Sequence, residues 1–227
     1  MEEIVNNKKR GSYASPRQIS RRQRILRAAG QHLETHGLEA LSMASIAAVS
    51  EVSVKTLYNL FGSRDLLLLE AASEVLVDIG ESEEIKQTEK GIPRLLNYVV
   101  TTMINFNKMP GYARAVISTL VKADLEIEVA ERHMGVVRRF AEDSLDVAAS
   151  AGELRTGTDI RQLSQHISAN QWGAVLLWEK GLLDVAQLPS HVALSHYMTL
   201  TPLCEGERHD MMQSELEGLL LDSGLAR

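Results

Sequence analysis

A single cysteine, Cys204, stands in a chain of 227 residues. One thiol rules out an internal disulfide and suits a reducing compartment, so a cytoplasmic, nucleoid-associated protein is the expectation. Aromatic residues make up only 4% of the chain, while Leu, Ala and Glu are plentiful, a balance that suits an all-helical protein. No apolar run approaches the roughly 18 residues of a membrane-crossing helix. The opening MEEIVNNKKRG has charge but no apolar centre, so it is not a secretion signal. No stretch alternates apolar and polar with period two, and no repeat is visible, which removes β architectures and solenoids.

Chemical motifs are absent too. There is no phosphate-cradling glycine loop and no Cys/His cluster at metal spacing. Cys204 has His196 and His209 near it in sequence, but no nucleophile-elbow turn to supply an oxyanion site. His32 and His36 lie four apart without a third ligand nearby. Glu83-Glu84 sits in a polar run that reads as solvated surface. No cofactor, metal or catalytic residue is expected. An enzyme using the C-terminal half is the weakest of the alternatives.

Hydrophobic residues at 44% and charged residues at 24% are ordinary for a globular chain, and the length easily buries a core. The net charge of −6 by itself argues against a nucleic-acid partner. Its distribution reverses that inference. Residues 1–64 hold ten Lys/Arg and five acids, a charge of +5, and the remainder carries 14 basic and 25 acidic residues, −11. A basic N-terminal module on an acidic body is a common layout for a DNA-binding head on a regulatory domain.

Residues 1–19, with Lys8-Lys9-Arg10, have no periodicity and read as a flexible basic arm. From Ser20 the pattern is helical, with Ile25, Ala28, Ala29 and Leu33 on one face and Arg21, Arg22, Arg24 and Arg27 around it, where a DNA backbone can run. His36-Gly37 ends that helix. Ser42 caps a short second helix whose apolar positions are Ile46, Ala47 and Val49. Ser53 caps a third through Val54, Lys55, Thr56, Leu57, Tyr58 and Asn59, with Leu57 and Phe61 inward. Two short capped helices joined by a tight turn describe a helix-turn-helix, here residues 20–64. In a major groove Lys55 can donate to guanine O6 or N7 and Val54 can touch a thymine methyl. Ser53, Thr56, Tyr58 and Asn59 suit phosphates or base edges along the rim, although Thr56 and Tyr58 also fit a purely packing role.

This head resembles the TetR-type one-component transcriptional regulators. The resemblance lies in Gly37-Leu38-Glu39-Ala40-Leu41-Ser42, Ile46-Ala47, Val52 to Tyr58, and Phe61-Gly62-Ser63-Arg64-Asp65-Leu66, within residues 22–70. Three positions depart from the family pattern. Glu51 stands where a turn glycine is usual, Leu60 where a phosphate-reaching histidine or tyrosine is common, and Arg64 where lysine is. The resemblance implies that Ser42, Tyr58 and Arg64 clamp the DNA backbone while Val54 and Lys55 meet bases. It also implies a homodimer on a palindromic double-stranded operator, most simply a repressor released by a small apolar effector.

Residues 65–227 then read as a helical ligand-binding and dimerisation domain with helices near 66–80, 92–107, 112–123, 126–151, 159–183, 189–203 and 208–222. By the resemblance, 159–183 and 189–203 form the dimer, through Trp172, Trp178, Val192, Leu194 and Tyr197. Candidate effector contacts are Tyr98, Met103, Phe106, Tyr112, Met134, Phe140 and Trp172, with His166 or Asn170 as polar partners. Met and aromatic residues at helical spacing are also ordinary core. The competing reading is a helical DNA-binding protein without a ligand, whose body would lack a sizeable cavity.

Overall fold

A computed structural model describes residues 16–37, 40–122 and 125–225. Of the arm expected at 1–19, residues 1–15, including Lys8, Lys9 and Arg10, lie outside the described residues, as do 38–39, 123–124 and 226–227. Residues 16–19 are not arm but the first turn of the first helix, which starts at Pro16 and not at Ser20. Every regular element among those described is helical, and one isolated bridge joins Leu154 to Cys204.

Helix α1 (Pro16–His36) ends at Gly37, whose φ of +78° is open to glycine without steric cost. Ser42 caps α2 (Met43–Val49) with its hydroxyl on the Ser45 N–H, and the Ser45 hydroxyl accepts from the Ser42 N–H in return. Ser53 caps α3 (Val54–Phe61), accepting from the Thr56 N–H at 3.1 Å, and Ser63 caps α4 (Arg64–Gly80) likewise through Leu66. Leu57 and Phe61 face inward against Ile25, Leu26, Leu33, Met43 and Ile46. Leu57 is fully buried, so Leu57→Ala is expected to cost about 2–5 kcal/mol and to loosen α3 from its support.

That head core does not stop at residue 64. Leu67, Leu68, Leu69 and Ala71 of α4 belong to it, as do Tyr112, Ala115 and Val116 of α7 (Pro110–Lys122). Helix α4 is therefore shared between head and body. The apolar stripe expected on 66–80 is wide enough to serve both sides.

The body is built from α5 (Glu83–Gln87), α6 (Ile92–Lys108), α7, α8 (Ile127–Met134), α9 (Val136–Ser150), α10 (Ile160–Glu179), α11 (Leu188–Leu200) and α12 (Gly206–Asp222). Pro93 sits in the first turn of α6, where its missing N–H has no helical partner to lose. The polar run expected as a loop at 81–90 holds the short α5, because Ser82 caps it and Ile85 is buried. The single helix expected over 126–151 is two, divided at Gly135, which packs so tightly that an added Cβ would lie 2.4 Å from the Glu131 carbonyl oxygen. The core gathers Leu95, Tyr98, Val99, Ile167, Val175, Trp178 and Val192.

Candidate functional site

On α3 the inward and outward faces are sharply divided. Lys55, Asn59 and Ser53 are exposed, Val54 is 38% exposed and Tyr58 52%, while Leu57 on the opposite side is sealed. The Tyr58 side chain thus lies on the outer side of α3. Thr56 is half-buried, with its hydroxyl 2.8 Å from that of Ser53. The hydroxyls of Ser42 and Ser53 engage helix caps yet both residues remain on the surface. Arg64 is exposed and pairs with the adjacent Asp65 at 3.2 Å. The eight residues Ser42, Ser53, Val54, Lys55, Thr56, Tyr58, Asn59 and Arg64 thus fall on the α2–α3–α4 part of the head. In an open, solvated setting, the pair to Asp65 holds Arg64 only weakly against a phosphate.

Two local expectations for the head, on Val49 and on the arginines of α1, need revision, and the turn between α2 and α3 adds a finding. Val49 is 51% exposed, because α2 ends there and Met43, Ile46 and Ala47 complete its buried face. Glu51 adopts φ +54° in the turn between α2 and α3, so this turn takes the left-handed conformation without glycine. For a residue with a Cβ that costs roughly 1–2 kcal/mol. The arginines of α1 also divide. Arg22 turns inward: its Nε donates to Glu70 Oε1 at 2.7 Å, and another guanidinium nitrogen donates to the Leu60 carbonyl at 3.0 Å. Its guanidinium also lies 4.6 Å from the Phe61 ring centre. Arg21, Arg24 and Arg27 remain exposed, Arg24 donating to the Ser50 carbonyl.

In the body, α4, α6, α7, α8 and α10 enclose a cavity of about 50 Å³. Its wall is apolar, formed largely by Leu69, Val75, Leu76, Ile79, Val116 and Leu120, with no Lys, Arg, Asp or Glu. Of the effector candidates, Phe106, Tyr112 and Trp172 line it. Trp172 donates its indole N–H to the Met134 carbonyl at 3.2 Å. Tyr98 instead stacks on Phe140 at 3.9 Å between ring centres, and Met103 is sealed in the body core. His166 and Asn170 lie in an open groove between α10 and α11, with the Asn170 amide donating to the Thr199 hydroxyl.

Three polar side chains in the cavity had no distinguishing signal in the sequence: Ser73, His133 and Asn105, whose amide nitrogen donates to the Thr101 carbonyl of its own helix. The Ser73 hydroxyl lies 2.9 Å from both the Leu69 carbonyl and His133 Nδ1. His133 is only 6% exposed. Burial pushes its pKa below the usual histidine value, Glu70 pulls the other way, and Arg132 and Arg22 add to the depression. Cys204, considered above as a nucleophile, is buried, and its thiol is pushed up to about 11 by burial and by Glu153, with Arg208 opposing. A thiol so disposed keeps its proton near neutrality.

Residues 25–71 match the family described as "Bacterial regulatory proteins, tetR family". The match lies wholly within the N-terminal head and the helix that follows it. No curated protein matches the chain in sequence. Solved structures extend the likeness over the remaining fold. A TetR transcriptional regulator from Rhodococcus sp. RHA1 superposes with a TM-score of 0.65 at 18% identity, over 81% of this chain and 97% of that one. Thermus thermophilus FadR, a TetR-family transcriptional repressor solved with lauroyl-CoA, gives 0.66 at 18% identity, over 82% and 96%. SmeT, the repressor of the Stenotrophomonas maltophilia multidrug efflux pump SmeDEF, gives 0.57 at 19% identity, over 82% and 92%, and has also been solved with triclosan.

The chain therefore has the all-α fold of TetR-family transcriptional regulators, with a helix-turn-helix head. No helix among the described residues is long and apolar enough to cross a membrane. In TetR terms, α10 and α11 are the helices that the resemblance assigned to dimerisation. Of the five residues named for that role, Trp178 and Val192 are buried within the chain's own core, and Trp172 faces the cavity. Leu194 lies in the α10–α11 groove, and Tyr197 in another groove beside α12. Leu176, Leu177 and Met198 are the large apolar residues these two helices leave exposed.

Proposed function

We propose that this protein is a dimeric transcriptional repressor that binds a palindromic operator through α3 and is released by a small, largely apolar ligand held in the cavity. The observation that carries the reading is the exposed row Val54, Lys55, Tyr58 and Asn59 on a helix whose other face is sealed by Leu57 and Phe61. One such helix reads only a half-site, so two heads about 34–36 Å apart are needed to fill successive major grooves. The exposed Leu176, Leu177 and Met198 support pairing through α10 and α11. His166 and Asn170 would then belong to that face more than to the ligand.

Release follows from the size of the cavity. At about 50 Å³ it is far below the roughly 300 Å³ at which ligand sites begin. A ligand must part α4 from α7, and it thereby favours a different body shape from the ligand-free one. Helix α4 carries that change outward. Ser73 faces the cavity, and Glu70, one turn earlier, holds Arg22, which in turn holds the Leu60 carbonyl at the end of α3. The ligand weakens operator binding by its differential affinity for the two shapes.

Selection of binding sites from random DNA, followed by gel shifts over a range of salt, tests the reading. Salt-sensitive binding that survives excess competitor DNA supports it, and selection that yields no preferred sequence contradicts it. The small cavity is also the observation that favours a second reading, a TetR-like DNA-binding protein with no ligand. That reading requires operator affinity to be indifferent to every apolar compound tried.

A further inference from the structure

The bound ligands of the structural neighbours, lauroyl-CoA and triclosan, differ in charge and shape, so the ligand class has to be argued from the cavity wall of this chain. Resting on the ligand-released reading above, we infer that the cavity takes a compact, uncharged apolar molecule bearing a hydroxyl group, such as an alkylphenol, with the hydroxyl set between His133 and Tyr112.

The argument begins with one proton. The Ser73 hydroxyl has a single hydrogen, and at 2.9 Å from the Leu69 carbonyl, an atom that only accepts, it must donate there. The contact of the same oxygen with His133 Nδ1 at 2.9 Å then requires Nδ1 to carry the hydrogen. In the neutral ring this leaves Nε2 as a lone pair, and no hydrogen bond to Nε2 occurs among the described residues. Burial favours that neutral ring. The imidazole that lines the cavity from α8 therefore carries an unused acceptor.

Tyr112 supplies the complementary group from α7. It is only 7% exposed, lines the same cavity, and its hydroxyl has no hydrogen-bond partner among the described residues. A buried phenol left so is costly, and a ligand that completes it gains accordingly. A hydroxyl both donates and accepts, so one ligand group can donate to His133 Nε2 and accept from Tyr112. A carboxylate or phosphate only accepts and would face the imidazole lone pair. An ammonium only donates and leaves the phenol proton unmet.

Charge outside the cavity points the same way. Val75, Met109 and Tyr112 also line a groove between α1, α4 and α7, which carries Glu34, Glu74 and Asp78 against Arg27. None of these three carboxylates forms an ion pair among the described residues. An anionic group projecting past Tyr112 meets like charge, and no cation lines the cavity to offset it.

Calorimetric titration of the full chain with 4-tert-butylphenol, its methyl ether and decanoate tests the assignment. The phenol is expected to bind roughly tenfold or more tightly than the ether, with decanoate no better than the ether. His133→Phe should bring the phenol down to the ether and leave the ether unchanged. If that variant does not fold, Tyr112→Phe, which keeps the ring, should narrow the same gap. Equal binding of phenol and ether, tightest binding by decanoate, or no binding of the phenol overturns the inference. Repeating the titrations on operator-bound protein separates the two readings. Phenol binding without operator release contradicts ligand-controlled repression and leaves the hydroxyl assignment standing. Release by decanoate alone supports repression and overturns the assignment.

Discussion

The exposed face of α3 and the cavity of the body are both groups of a few side chains, but they are assembled in opposite ways. The outward side chains of α3 and its cap lie within seven residues, from Ser53 to Asn59, and owe their direction to that cap and the helical period. The cavity brings Ser73, Phe106, Tyr112, His133 and Trp172 together from five helices spread over a hundred residues of chain. The first arrangement tolerates loss of single side chains without loss of fold. In the second, each group is held by its neighbours, so changes there spread. Arg22 sits where the two meet, touching α3, α4 and the Phe61 ring.

The largest expected effect isolates the head. Tyr58→Ala removes an exposed ring and should weaken operator binding roughly tenfold or more, in the range of about 1–3 kcal/mol, with thermal stability unchanged. Anisotropy titration beside a melting curve checks both halves, and a lowered melting temperature would show Tyr58 to be structural after all.

Next in size is the junction. Arg22→Ala should cost about 1–2 kcal/mol of stability, the charged hydrogen bonds being discounted because the side chain is a third exposed. It should also loosen ligand response from operator affinity while ligand affinity itself stays put. If response survives intact, α4 transmits by another route.

The body is expected to answer to pH through two buried histidines. His133 and His196 both have pKa values pushed below 6.5, in each case chiefly by burial. The unfolded chain therefore takes up protons first as pH falls. Stability present above about pH 6.5 should decline below it, down to the folded pKa values, and then level off. Urea melts at a series of pH values should follow this course, with a shallower decline when His133 is replaced by Phe. A flat profile would mean that neither ring is disfavoured in its charged form.

The smallest effect lies in the turn. Glu51→Gly relieves the strain of φ +54° but adds glycine's unfolded entropy, leaving a gain of about 0.5–1 kcal/mol. Chemical denaturation resolves a change of that size, and a loss would mean that the Glu51 side chain holds the turn by contacts of its own.

How far each region was legible follows from the same contrast. Caps at Ser42 and Ser53, the inward Leu57 and Phe61, and the stop at Gly37 depend on neighbours a few residues away, so spacing alone locates them. Arg22 defeated that reasoning because its partner is 48 residues distant. The direction of Val49 depended on where α2 ended, which no residue within α2 announced. In the body, Phe106, Tyr112 and Trp172 were found as large residues on helical faces, but so were Tyr98 and Phe140, which stack on each other. Nothing within either residue type separates wall from core. Ser73 and His133 became visible only through a contact across 60 residues.

The most direct test of DNA reading by α3 is the base preference of Lys55→Ala, measured by site selection beside the unsubstituted protein. The account predicts that preference relaxes at the base pair Lys55 meets while the remaining positions keep theirs. An operator consensus unchanged at every position would contradict it.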